Sequence, residues 1–483
     1  LSRVSDAAIS GSGFRDLSAR RHLALSLAVI TGITLWRIIC LRLTPLDLFM
    51  DEAQYWLWGE ELAFGYFSKP PLIGWVIRAF TTLGGDTAFW VRIAAPIGHG
   101  LAAIFVGLAA RAWWQRPEAV WAGAAYATLP GVGVLSLFVS TDDLLLPAFA
   151  VALWAVIRLR QQPQNMAWGI VLGVALGLGL LAKYAMLYFV IALIPLALLG
   201  GEREVRRGVA VALMLALVIA SPNLIWNMRA GFVTVGHTAE NAGWAGIEWN
   251  WSGVAEFLAV QIVAFGPVFA AGYVPAIRAA LRRGERFIVA LSAAILAVVT
   301  LQALIRDANG NWAAPAFVAA AVVTVPWCLA RWPRVTRAGM LVNLIFCLVL
   351  PATTLWPDQM RLGGQPVYAR IEAVTAFNAQ LTEAARTAGA GAIVSDDRMT
   401  LATLSWRLRD DDIGVYALPP DGPPRNHYEM IRPAPDEMGA VVLVTKSLPE
   451  ECASQATPLP IRDAATQEDM RSVPDYLLPG SCW

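Results

Sequence analysis

The chain has 483 residues, 57% of them hydrophobic and 15% charged, with a mean hydropathy of +0.54. A soluble domain carries roughly 25% charged residues, so the composition excludes an ordinary soluble protein. The net charge of +1 excludes nucleic acid as a partner, because phosphate neutralisation needs a basic surface.

About 20 apolar residues, rising about 1.5 Å each, cross a hydrocarbon core of about 30 Å, and such runs recur along this sequence. Residues 1–22 are polar and form an N-terminal tail. The run beginning at Leu23 continues at spanning length, as a retained anchor does and a cleaved signal does not. Spans are predicted near 23–43, 91–112, 119–139, 143–160, 166–182, 184–200, 208–226, 252–276, 287–305, 312–330 and 338–356, about eleven in all. Arginines mark every second loop: Arg15, Arg20 and Arg21, then Arg111 and Arg116, Arg158 and Arg160, Arg203, Arg206 and Arg207, Arg282, Arg283 and Arg286, and Arg331, Arg334 and Arg337. By the positive-inside rule these loops are cytoplasmic. The loops between them, and with an odd span count the C-terminal tail, face outward.

Residues 44–90 form the first external loop within a membrane domain of 23–356, and residues 357–483 form an external tail. In the tail GAIVS, IGVYAL and AVVLVT read as strands, and Ile371, Val374, Phe377 and Leu381 recur at helical spacing. A small α/β domain is expected. Of the five cysteines, Cys40, Cys328 and Cys347 lie in or beside apolar runs, while Cys452 and Cys482 share the tail. Those two are either a disulfide, worth roughly 3 kcal/mol if unstrained, or two free thiols.

The first external loop, MDEAQYWLWGEELAFGYFSKPPLIGWVIRAF, concentrates chemistry. Asp51 and Glu52 stand where the first span ends, a place where interfacial carboxylates are inexpensive. Tyr55, Trp56, Trp58, Phe64, Tyr66 and Phe67 follow, placing the loop at headgroup depth. After Pro71, Leu72, Trp75, Val76 and Phe80 form an apolar helix side, expected to lie on the membrane. The chain has only three lysines, Lys69, Lys183 and Lys446. Lys69 and Lys183 both fall at the outer face, as snorkelling cations or as point charges for an anionic headgroup.

These segments resemble the GT-C superfamily of membrane glycosyltransferases, in the group of protein mannosyltransferases and aminoarabinose transferases. The resemblance is carried by MDEAQYW at 50–56, YFSKPPL at 66–72, STDDLL at 140–145, LAKY at 181–184, WNMRAGFVTVGHTAENA at 226–242 and GNWAAPAF at 310–317. It implies an all-α GT-C membrane fold with an external tail domain, and inverting transfer of a sugar from a polyprenyl-phosphate carrier to a lipid or glycan acceptor. It puts the catalytic acid motif on Asp51 and Glu52, the second acidic site on Asp142 or Asp143, and the carrier phosphate on Lys69. Aminoarabinose transferases have a metal-binding glutamate before the lysine of the KPP step. Here that position is Ser68, and His237 alone does not make a site that usually wants four ligands. A divalent metal therefore stays an open alternative rather than an assigned ligand, and no other cofactor is implied.

The chemistry matches the residue types. Asp51 takes the proton of the acceptor hydroxyl, a cation stabilises the departing phosphate, and Lys69, Lys183 and Arg306 are candidates for the latter. Arg306 has a solvated turn as its plain alternative. Tyr55, Tyr66 and His237 are candidate pocket residues, and His237 is equally read as a surface histidine. His99, between Gly98 and Gly100, is expected to make a helix-to-helix hydrogen bond. The expected partners are the lipid-phosphate sugar donor, an envelope acceptor such as lipid A or lipopolysaccharide, and membrane lipids, at the bacterial inner membrane. The rivals are a protein O-glycosyltransferase and a transporter. A transporter would place its ionisable residues near the midplane between repeated halves, whereas these crowd one face.

Overall fold

The computed structural model describes residues 3–199, 202–242, 249–420, 422–436, 438–445, 448, 452–459 and 475–479. The chain forms two compact units, one of Leu1–Arg42 with Arg92–Ala352 and one of Leu43–Val91 with Thr353–Trp483.

The first unit is helical and carries the membrane-spanning character. Among the described residues six helices are long and apolar enough to cross a bilayer: Leu17–Leu43, Ala88–Trp114, Arg203–Arg229, Arg286–Ile305, Gly310–Arg331 and Pro333–Thr353. The pair Trp251–Phe265 and Pro267–Arg282, bent by 100°, is apolar enough to count as a seventh when taken as one broken span. The bend falls at Gly266, whose φ of 81° favours a glycine, followed by Pro267 at the start of the next helix. The molecule is therefore a multi-pass membrane protein.

The other predicted spans take a different form. The run near 119–139 is broken into Pro117–Val120, Trp121–Ala127 and Pro130–Leu135, because Pro130 lacks an amide hydrogen and cannot continue the preceding helix. The Ala127 carbonyl at this break accepts a 2.8 Å hydrogen bond from Arg37 Nη2. That bond accounts for a buried arginine inside the Leu17–Leu43 helix. The predicted spans near 166–182 and 184–200 correspond to two shorter apolar helices, Ala167–Ala182 and Leu187–Leu199, and the Asp142–Gln161 helix begins with two acids.

The second unit joins residues 43–91 to the tail. Met50–Glu60 packs on Leu72–Gly84. The approach is close at Gly74, where a Cβ would stand 2.9 Å from the Tyr66 hydroxyl and 3.1 Å from Trp58. Ile73, Ile77 and Thr81 face inward, while Leu72, Trp75, Val76 and Phe80 are only half-buried and Leu83 is exposed. The tail holds a five-stranded sheet: Gly414–Ala417, Ala392–Ser395 and Val441–Val444 run parallel, and Asp475–Leu478 and Thr457–Pro458 complete it antiparallel. The helix Ala369–Ala388 buries Ile371, Val374, Phe377 and Leu381. Cys452, disulfide-bonded, lies in the sheet core with Val394, Val441 and Leu443. Cys482 lies outside the described residues, as does Lys446.

Candidate active site

In the second unit the Met50–Glu60 helix starts on its two acids, and their surroundings differ. Glu52 is 1% exposed and its Oε2 accepts the Phe49 amide hydrogen at 3.0 Å. This back-bond is one half of a capping box, so Glu52 shapes the helix start. Asp51 is 46% exposed at its side chain and is paired with Arg398, the first residue of the helix Arg398–Arg407 in the tail. Sequence reading missed Arg398, because a partner 347 residues away leaves no local signal.

The far end of the Met50–Glu60 helix is held similarly. Arg432 Nε and Nη2 both donate to Glu61 Oε1, at 2.9 and 2.6 Å. Between these ends the tail helix packs Trp406 edge-on against Trp56, with ring centroids 5.1 Å apart, and Trp406 donates to Asp47 at 2.7 Å. Asp47, Asp86, Arg386, Trp406, Arg407 and Arg409 line a polar cleft of about 570 Å³.

Most of the loop aromatics pack inside the protein rather than on its surface. Tyr55, Trp56, Trp58, Tyr66 and Phe67 are buried, and Phe64 is exposed. Tyr66 stacks on Trp58 at 4.5 Å and donates to the Trp58 carbonyl at 2.5 Å, while the Ala63 amide donates back to it. Burial pushes its hydroxyl up to about 12. Tyr66 is thus a core tyrosine with its hydroxyl engaged, and Tyr55 lies against the same Trp58 ring. His427 meets both Trp58 and Tyr66 edge-on at 5.6 Å. Its ring nitrogens are buried with no hydrogen-bond partner among the described residues, and burial, then the charge of Arg432, lowers its pKa to about 3. Lys69 is half-buried in a turn closed by its own carbonyl, which accepts the Tyr66 amide hydrogen at 3.1 Å.

In the first unit Asp142 and Asp143 are both fully buried. Lys183 Nζ donates to both Asp142 oxygens at 2.8 and 2.9 Å, and Asn311 Nδ2 donates to Oδ2 at 2.9 Å. The structure therefore brings STDDLL, LAKY and GNWAAPAF together at one carboxylate. Asp143 Oδ2 accepts the Ser140 amide hydrogen, and Oδ1 lies 3.0 Å from His99 Nε2. A Cβ at Gly98 would collide with the Asp143 carbonyl, so only glycine lets the two helices approach there. Beside this cluster an apolar cavity of about 450 Å³ is lined by Val134, Leu146, Val263, Phe317 and Phe346, with Asn311 as a polar member. His237 is half-buried on Val233–Ala242, and Arg306 is exposed where the helix Ile295–Ile305 ends.

Ser68 is buried, and among the described residues no three His, Cys, Asp or Glu side chains group closely enough to hold a metal ion.

Comparison with known proteins adds four findings. The family model for dolichyl-phosphate-mannose-protein mannosyltransferase matches residues 68–226. The lipid A galacturonosyltransferase RgtD of Rhizobium johnstonii is 36% identical over 436 residues, covering 89% of this chain and 92% of that protein. The lipopolysaccharide core galacturonosyltransferase RgtA of the same species is 31% identical over 293 residues, covering 56% of this chain and 57% of that protein. The crystal structure of ArnT from Cupriavidus metallidurans bound to undecaprenyl phosphate aligns over 95% of this chain and 97% of that one, with a TM-score of 0.66 at 15% identity, a likeness of fold.

Proposed function

We infer the reaction from the family: this chain belongs to the GT-C glycosyltransferases, in the group of the Rhizobium lipid A galacturonosyltransferase. It is a glycosyltransferase. We propose that it moves a uronic sugar from an undecaprenyl-phosphate carrier to lipid A or another lipopolysaccharide acceptor. The observation that carries this reading is the 36% identity running through nearly the whole of both chains. The apolar cavity of the first unit supports lipid-borne substrates as a class.

In the proposed reaction the acceptor hydroxyl oxygen attacks the anomeric carbon as the bond to the carrier phosphate breaks. The hydroxyl proton goes to Asp51, and the phosphate leaves on the carrier with inversion at carbon. Asp51 suits the base because its carboxylate is half-exposed, whereas Glu52 holds the helix start. Lys69 is assigned to the departing phosphate, as a compact cation in a turn constrained by Pro70 and Pro71. Lys183 is reassigned to holding Asp142, because its ammonium is spent on that buried carboxylate. Arg306 is kept as a further phosphate contact and His237 as a wall residue.

We place about eleven crossings in the bacterial inner membrane, with residues 1–22 cytoplasmic and the first loop and the 357–483 domain periplasmic. The arginine alternation supports this. Purified protein given undecaprenyl-phosphate galacturonose and lipid A should yield lipid A heavier by one sugar residue. Transfer only to a peptide hydroxyl would favour protein O-glycosylation instead.

A further inference from the structure

We infer that Arg398 reads an oxyanion on the sugar donor, releasing Asp51 as it binds it; the anion is the carboxylate of a uronic sugar or the carrier phosphate. The inference deepens the proposed function and rests on Asp51 as the base.

Its first support is position. Ala392–Ser395, the middle one of the three parallel strands, has Gly414–Ala417 on one side and Val441–Val444 on the other, so the strand order reverses direction there. In open α/β sheets the crevice at the carboxyl ends of strands, where the order reverses, is where ligands bind. Arg398 leaves that edge three residues after Ser395. The neighbouring polar groups are already engaged: Ser395 Oγ donates to the Val444 carbonyl at 2.8 Å, Thr445 Oγ1 donates to Asp396 at 2.9 Å, and Asp397 accepts from the Thr400 amide and hydroxyl, both at 2.7 Å.

Its second support is an incomplete set of hydrogen bonds. A guanidinium offers five donors in a fork suited to a carboxylate or phosphate. Arg398 uses Nη2 on Asp51, and its Nε is buried with no acceptor among the described residues. Arg432, which follows the helix His427–Ile431 and meets the other end of the Met50–Glu60 helix, turns both Nε and Nη2 onto Glu61. One arginine docks the tail, and the other retains a spare donor beside a carboxylate. The Asp51 and Arg398 side chains, 46% and 33% exposed, are open to a substrate.

The charge balance permits the exchange. An anion arriving on Arg398 replaces one anionic partner with another, so the guanidinium never stands unpaired. Asp51 is then free to accept the acceptor's proton only while the anionic donor is present.

The test compares two donors on the same undecaprenyl phosphate, galacturonose and galactose, with the full-length enzyme in detergent. A sugar carboxylate read by Arg398 gives the wild type a preference for galacturonose of at least about tenfold in kcat/KM. Arg398→Gln removes that preference by losing activity on the galacturonosyl donor alone, Arg398→Lys keeps part of it, and Arg432→Gln lowers both donors equally. A rise in KM on both donors in Arg398→Gln, with the ratio unchanged, assigns the anion to the phosphate. An equal fall in kcat on both donors with unchanged KM would overturn the inference and leave Arg398 a docking contact. If Arg398→Gln does not fold, Arg398→Lys decides: the inference fails if its ratio and donor KM both match the wild type. Full activity of Asp51→Asn would remove the underlying reading independently of all these outcomes.

Discussion

Asp51 and Glu52 are neighbours with different tasks. Glu52 is buried and caps the helix start, while Asp51 is half-exposed and held by one arginine. Asp51→Asn should abolish transfer with expression and melting temperature near normal. Glu52→Gln should retain activity and lose about 1 kcal/mol of stability, the scale of a capping contact; detergent-solubilised thermal melts and transfer rates check both. Lys69→Ala should raise KM and lower kcat for the lipid-phosphate donor, with Lys69→Arg milder because it keeps the charge but changes its shape, as a donor titration would read. His427 makes a prediction in pH. Its ring is buried neutral with a pKa lowered to about 3, whereas an exposed histidine titrates near 6.5. Below about 6.5 the unfolded chain takes up a proton that the folded one refuses, so stability is complete above that pH and falls towards pH 3, by at most about 1.4 kcal/mol per unit. His427→Phe should flatten this part of the melting-temperature profile relative to the wild type, and an unchanged slope would exclude His427 as its source.

The short helices and loops around Asp142 carry a separate prediction. Three segments separated widely in sequence meet there, and Asp142 is buried under Lys183 and Asn311. Breaking a buried ion pair from one side costs about 3–5 kcal/mol because it strands a charge. Lys183→Met should therefore lower the melting temperature sharply, and adding Asp142→Asn should recover much of the loss. A Lys183→Met protein of normal stability with a raised donor KM would return Lys183 to the phosphate. The sequence singled out both residues by residue type and sidedness, yet their pairing was not legible, since Asp142 and Lys183 stand 41 positions apart. Helix breaks were harder still. An apolar run near 119–139 reads as one span by hydropathy, and only Pro130 hinted that it divides; Arg37, a charge within an apolar helix, was the unrecognised sign of the freed Ala127 carbonyl.

Over the whole molecule, the properties legible in the sequence were those written in composition and periodicity. Apolar runs such as 208–226 and 312–330 lie within single long helices, and GAIVS, IGVYAL and AVVLVT contain the three parallel strands. Contacts between distant segments were not legible, so the joining of residues 43–91 to the tail in one unit had no local signature. That grouping sharpens the topology prediction. Asp51 and Arg398 touch, as do Glu61 and Arg432, so the first loop and the tail must lie on one side of the membrane. The positive-inside rule places that side outside, because arginines cluster in the alternate loops. An impermeant thiol reagent applied to intact inner-membrane vesicles of known orientation, using a chain stripped of its native cysteines that retains transfer activity, should report this directly. Cysteines replacing Leu62, which is exposed, Glu240 or Pro420 should react only from the periplasmic face, and those replacing Gln115 or Glu204 only from the cytoplasmic face. Labelling of Pro420→Cys and Leu62→Cys together from the cytoplasm would invert the assignment while keeping the unit intact, and labelling them from opposite faces would contradict the ion pairs that join the loop to the tail.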